Sequence, residues 1–142
     1  MLSVQQYNND KTNFGVFNKT FAMIKPKAIK DGHAGEIISM IEKNKDLKID
    51  KLEMTTLDKL TAQKHYAEHQ GKSFYQELID FITSGPVIKM EISGDEAISK
   101  VRALSKAIRE KFATSITANA IHTSDGVESA ARELALHFDK TV

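Results

Sequence analysis

The chain has no cysteine and no tryptophan, only two prolines among 142 residues, and no surplus of either charge. Without cysteine there is no disulfide framework, no thiolate zinc site and no thiol nucleophile. No apolar run approaches the ~18 residues of a membrane-spanning helix, so no membrane partner is expected. Twenty Lys+Arg stand against nineteen Asp+Glu, a net charge of +1. That balance is too even for the broad positive field that drives non-specific nucleic-acid binding, so any bound anion must be held by a local cluster. Residues 1–18 lack apolar periodicity and carry neither the basic and apolar regions of a secretory signal nor an Arg-rich presequence. They predict a flexible N-terminal arm ahead of a folded domain over 19–142, and a cytoplasmic location. What remains, 41% hydrophobic and 27% charged residues, suits one globular domain.

Thr20 to Lys25 is a mostly apolar run stopped by Pro26, which reads as a central strand. Ile37, Ile38 and Ile41 give the next segment a helical stripe. Leu47 to Met54 alternates with one slip, as a bulged, half-exposed strand would. Thr61 to His69 and Ser73 to Thr83 read as helices parted by Gly71, and Pro86 to Ile92 as a third strand ending at Gly94. Asp95 to Lys111 is helical by composition and broken once. A short strand, Ala120 to His122, precedes a last helix capped by Asp125 with Glu128, whose buried face is Val127, Ala130, Ala131, Leu134 and Phe138. The order predicts an α+β fold, a ferredoxin-like split β-α-β sandwich in which a four-stranded antiparallel sheet carries helices on one face.

Among the five histidines, His65 and His69 are four apart, yet no H-E-x-x-H pattern or third ligand accompanies them, so no metal site is expected. His33 and His137 read as surface residues. His122 ends an apolar run just before a Ser-Asp-Gly helix start, beside free helix N–H donors. Spacing alone leaves it either a hydrogen-bonded structural histidine or a ligand-facing one. Lys25 is either an exposed strand-end lysine or a cation facing an anion crevice. Arg102 and Arg109, seven apart, either share a solvated face or reach one phosphate chain with bidentate forks. Neither a G-x-x-x-x-G-K-[ST] loop nor a G-x-G-x-x-G turn occurs, which excludes P-loop and Rossmann sites.

The stretches FAMIKPKAIKDGHAGEII, HYAEHQGKSFYQELIDFITSGPVIKM and NAIHTSDGVESAARE resemble nucleoside diphosphate kinases, in order and at nearly the family's spacing. The resemblance runs from Thr20 to Phe138. It implies ping-pong transfer of the γ-phosphoryl group of a nucleoside triphosphate to a nucleoside diphosphate, with His122 as the phosphorylated nucleophile. Glu133 would orient that ring, with Ser124 in support. Lys25 and Tyr66 would hold the transferring group, and Arg102 and Arg109 the other phosphates. Phe74 would stack on the base opposite Ile116, and Asn119 would meet the ribose. Mg2+ would be carried by the nucleotide phosphates, with no direct protein ligand.

The resemblance also implies a homohexamer built from dimers, and the dimer-forming stretch, His33 to Leu57, is complete here. The segment between the two arginines is shorter than usual by roughly ten residues, beyond ordinary loop variation, which predicts weaker ring contacts. Thr123 stands where Gly is usual and Lys27 where Asp is common. A catalytically weak nucleotide-binding regulatory module of the same fold is the alternative. An RNA-recognition domain fits poorly, since no aromatic-rich, basic strand is present.

Overall fold

In the computed structural model, residues 16–139 are described. The apolar run before Pro26 forms the end of strand β1 (Phe17–Ile24). The strand begins three residues before Thr20, because Phe17 and Asn18 pair with Asp95 and Gly94. These two residues, assigned above to the arm, therefore belong to the sheet; residues 1–15 of the expected arm lie outside the described ones. Pro26 does more than stop the strand. Its fixed φ suits a first helical position, and a short helix missed in the sequence, α1 (Pro26–Lys30), starts there.

The remaining elements are α2 (Ala34–Glu42), β2 (Leu47–Thr55), α3 (Lys59–His65), a 3-10 turn (Ala67–His69), α4 (Tyr75–Ile82), β3 (Val87–Asp95), α5 (Ala97–Phe112), β4 (Ile121–Thr123) and α6 (Val127–Phe138). The sheet order is β2-β3-β1-β4, with every pairing antiparallel. The slip in the alternation of β2 is a register shift between Ile49 and Lys51, as its sequence predicts. This is the expected α+β sandwich.

Alternation along β1 divides the interior. Ala22 and Ile24 join Ile37 and Ile41 of α2 and Val101 and Ile108 of α5 in one cluster. Phe21 and Met23 point the other way, into a second cluster with Ala62 of α3, Ile79 and Ile82 of α4, and Leu134 and Phe138 of α6. Helices thus cover both faces rather than one. This explains why the polar positions of β3 are also buried. Lys89 is 4% exposed, donates to the His137 carbonyl at 3.0 Å and pairs with Glu53.

Three local expectations change. Helix α5 runs unbroken over its sixteen residues. In α6 the buried face is Ala130, Glu133 and His137, while Val127 is 73% exposed and Ala131 faces solvent. The α6 start is held by Ser129, whose Oγ accepts from the Gly126 N–H at 3.0 Å and donates to Asp125 Oδ1 at 2.7 Å, so Glu128 is not the capping partner. Among the described residues, no helix is long and apolar enough to cross a membrane.

Candidate active site

Strand β1 ends where β4 and the chain leading into it converge, and the backbone there is tightly specified. The Lys25 N–H donates to the Ala120 carbonyl at 2.9 Å. Ala120, with φ +81, occupies the left-handed region that a Cβ makes costly by about 1–2 kcal/mol, so strain is concentrated between Asn119 and the strand that follows. Pairing of Ala22, Met23 and Ile24 with Thr123, His122 and Ile121 then buries the side chains of Ile121 and Thr123. His122, between them, is left half-buried.

Behind His122 the first turns of α6 bring up a carboxylate. Glu133 is 3% exposed, with Oε1 2.9 Å from His122 Nε2 and 2.6 Å from Ser124 Oγ, which donates to it. Burial pushes the Glu133 carboxyl up, but the hydrogen bond and charge of His122 and the Ser124 hydroxyl outweigh it, and the net direction is down. An ionised carboxylate only accepts. His122 must therefore carry its proton on Nε2, which leaves the Nδ1 lone pair bare. Arg132 adds a longer contact, 3.7 Å from Glu133 Oε2.

In front of His122 is a cavity of about 620 Å³. Seven of the ten residues expected at the site line it: Lys25, Tyr66, Phe74, Arg109, Ile116, Asn119 and His122. Glu133 and Ser124 are in the layer behind. Arg102 is not in the lining; it is near enough to Arg109 that the two charges disfavour each other, after burial has already lowered the Arg109 pKa.

The charges in this cavity are unbalanced. Lys25 is 6% exposed and its only side-chain partner among the described residues is the Thr117 carbonyl, at 3.4 Å. Burial first, then Arg109, pulls its pKa from 10.5 down to about 8. Arg109 donates through Nε and Nη2 to the Ile121 carbonyl at 3.2 and 3.0 Å. No carboxylate pairs with either cation among the described residues, a costly arrangement unless an anion completes it. Tyr66 is 8% exposed, and burial together with Glu133 pushes its phenol up to about 12, so it stays a neutral donor. The far end of the cavity is apolar and open: Phe74 is 42% and Ile116 94% exposed. Between the two ends, Asn119 Oδ1 is buried and no donor among the described residues reaches it.

A family model of nucleoside diphosphate kinase matches residues 18–142. The chain belongs to the nucleoside diphosphate kinase family. It is 44% identical over 136 residues to the nucleoside diphosphate kinase of Saccharolobus solfataricus, covering 89% of this chain and 98% of that one. To that of Corynebacterium jeikeium it is 46% identical over 131 residues, covering 84% and 96%. Among solved structures, the nucleoside diphosphate kinase of Aquifex aeolicus superposes with a TM-score of 0.81 at 31% identity, covering 89% of this chain and 98% of that one. Membership makes the chain a phosphotransferase enzyme.

The sequence did not point to every residue of this cavity. His69, Glu77 and Thr117 also line the cavity. Glu77 Oε2 accepts from Thr117 Oγ1 at 3.0 Å, fastening α4 to the loop that follows α5. The His69 ring is 5.5 Å from that of Phe74. His65 and His69 do not share a helical face, because α3 ends at His65 and the chain tightens into the 3-10 turn. His137, expected at the surface, is 1% exposed: its Nε2 is 3.0 Å from His65 Nδ1, and its ring stacks on Phe21 at 4.4 Å. His33 is partly covered, its ring 4.5 Å from that of Phe112. No local pattern signals the His65–His137 pair, whose members are 72 residues apart.

Proposed function

We propose that this enzyme moves the γ-phosphoryl group of a nucleoside triphosphate to a nucleoside diphosphate through phosphohistidine at His122. The observation that carries this reading is the pair of cations, Lys25 and Arg109, which line the cavity in front of His122 and have no carboxylate partner among the described residues. Phosphate supplies the missing negative charge. The Nδ1 lone pair attacks the γ-phosphorus, a P–N bond forms, and the bond to the β,γ-bridging oxygen breaks. The leaving diphosphate keeps the electron pair. As Nδ1 gives up its electrons the ring becomes cationic, and Glu133 stabilises it through the Nε2 proton while Ser124 fixes the carboxylate. A second diphosphate then attacks phosphorus through its own terminal oxygen and returns the ring to its starting state.

Lys25 and the Tyr66 phenol donate to the transferring group, and Arg109, supported by Arg102, to the phosphates behind it. Asn119 Oδ1 suits a ribose hydroxyl, since it is a buried acceptor with no protein donor among the described residues. Phe74 and Ile116 offer faces for the base, a contact that every base can make. The family uses a divalent cation. Here we infer Mg2+ held by the nucleotide phosphates, because hard cations favour several oxygen ligands and the phosphates supply them. Bound there, Mg2+ would neutralise phosphate charge that the protein's cations leave uncovered.

A cytoplasmic enzyme assembled as a homohexamer of dimers completes the proposal. The edge position of β2, with Leu52 and Met54 half exposed, supports a pairing surface. The position of Arg102 outside the cavity lining favours the second reading, a regulatory module that binds nucleotide and turns over weakly. One experiment separates the two. Incubated with a γ-labelled nucleoside triphosphate, the purified chain should acquire an acid-labile, base-stable phosphate and pass it to an added diphosphate. Binding without labelling would favour the module.

A further inference from the structure

We propose that His65, His122 and Glu133 form a zinc site, and that zinc bound there holds the enzyme unphosphorylated. One donor atom from each residue lies within 4.8 Å of the others. Zinc bonds of about 2.0–2.1 Å place tetrahedral ligands about 3.3 Å apart. The His122 Nε2–Glu133 Oε1 edge, at 2.9 Å, is already close to that length. The His65 donor has to close by up to about 1.5 Å, which takes small side-chain rotations of His65 and Glu133 as well as of the half-buried His122.

The donors are in the right chemical state. His65 is 3% exposed and faces His122, the two rings lying edge to face with centroids 4.5 Å apart. Burial, then the neighbouring His122 and His137, hold its pKa well below 6.5, so the ring is neutral with a lone pair to give. His137 engages Nδ1 of His65, which leaves Nε2 as the coordinating atom. It thereby supplies the outer hydrogen bond that orients metal-binding imidazoles elsewhere. Two nitrogens and one carboxylate oxygen suit zinc, whereas magnesium prefers a full shell of oxygens, so the magnesium accompanying substrate competes poorly.

Inhibition follows from proton placement. In the free enzyme the single imidazole proton of His122 is on Nε2, hydrogen-bonded to Glu133. When zinc takes the Nε2 lone pair, that proton has to move to Nδ1. The lone pair that attacks phosphorus then no longer exists. No proton is gained or lost overall. The site rests on the donor geometry alone; only its effect on turnover rests on the proposed role of His122.

Zinc alone, titrated by calorimetry into the full chain without nucleotide, should bind one ion per chain. His65→Gln and His122→Gln should each weaken that binding at least tenfold, and His137→Phe by roughly tenfold through the lost outer bond. Unchanged affinity in the first two variants, or no uptake by the parent, would overturn the site. Should His65→Gln fail to fold, zinc-edge X-ray absorption of the parent decides instead: two imidazole nitrogens and one carboxylate support it, and a shell without imidazole removes it. With magnesium in excess, zinc should suppress phosphoenzyme formation in the parent. His65→Gln, which touches no substrate group, should keep its turnover and lose zinc sensitivity. A chain that binds zinc at these residues but never acquires acid-labile phosphate leaves the site intact and removes the phosphotransfer reading. One that binds zinc at these residues and still forms phosphoenzyme keeps the site and the phosphotransfer reading and overturns the inhibition.

Discussion

Lys25 shows how one residue trades stability for binding. Its ammonium is buried at a strand end without a carboxylate among the described residues, and its pKa falls from 10.5 to about 8. Since one pKa unit is worth about 1.4 kcal/mol, the empty protein carries a strain on the order of 3 kcal/mol there. The sign follows: the unfolded chain holds this proton more tightly, so the strain is full below pH 8 and relaxes as pH rises from 8 toward 10.5. Lys25→Met should therefore melt several degrees above the parent at pH 7 while losing most of its turnover, which differential scanning calorimetry and a coupled assay would read. Diphosphate affinity in the parent should decline above pH 8 with proton uptake on binding, and stay flat in the variant. Calorimetry in buffers of different ionisation enthalpy checks this; equal proton uptake in both would refute it. His122→Gln should keep the fold and lose phosphoenzyme formation entirely. Glu133→Gln should lower kcat by about 10- to 100-fold with little change in nucleotide binding, because it acts through the ring. A matching loss of affinity would place Glu133 against substrate instead.

At the scale of elements, the parts legible in the sequence are those whose cause is local. The stop at Pro26 and the slip in β2 each rest on backbone chemistry within a few residues, whereas β3, expected to end at Gly94, runs through it to Asp95 and is held there by strands on both sides. Gly94 illustrates the strength of that constraint, for a Cβ there would lie 2.0 Å from the Asp46 carbonyl oxygen. Gly94→Ala should thus destabilise by several kcal/mol, on the order of a large core disruption, as urea unfolding would show. A loss under 1 kcal/mol would mean that the β2 start moves freely. What the sequence hid depends on distant partners. Polar Lys89 and His137 are buried because Glu53, His65 and the two helical layers meet them across the fold, and hydrophobic period alone assigns such residues to solvent. Apolar Val127 errs the other way, as the exposed first residue of α6. Within the site, the family resemblance pointed to seven residues that line one cavity, whereas Arg102, carried on the unbroken α5, is outside that lining.

The whole molecule is expected to respond to dilution. Shortening between Arg102 and Arg109 removes material expected to join dimers, while the β2 edge is complete, so the assembly should release dimers before monomers. Light scattering over a wide dilution series, with unfolding midpoints measured alongside, would reveal a concentration-dependent mass. A hexamer that persists at the lowest concentration would show that other surfaces replace the loop. Finally, the proposed nucleophile is carried by a strand only three residues long, joined to the rest of the sheet on one side alone. Beyond its pairing with β1, its hold comes from Arg109, proposed to bind nucleotide, which clasps the Ile121 carbonyl, and from the Lys25 backbone N–H, which donates to the Ala120 carbonyl just before it. Local opening of this edge should then require far less free energy than global unfolding. Amides of residues 121–123 should exchange with deuterium well before those of β1 and β3, faster still in Arg109→Ala, and slow down when nucleotide is added. Exchange in step with the central strands would mean that this small edge opens only when the whole domain does.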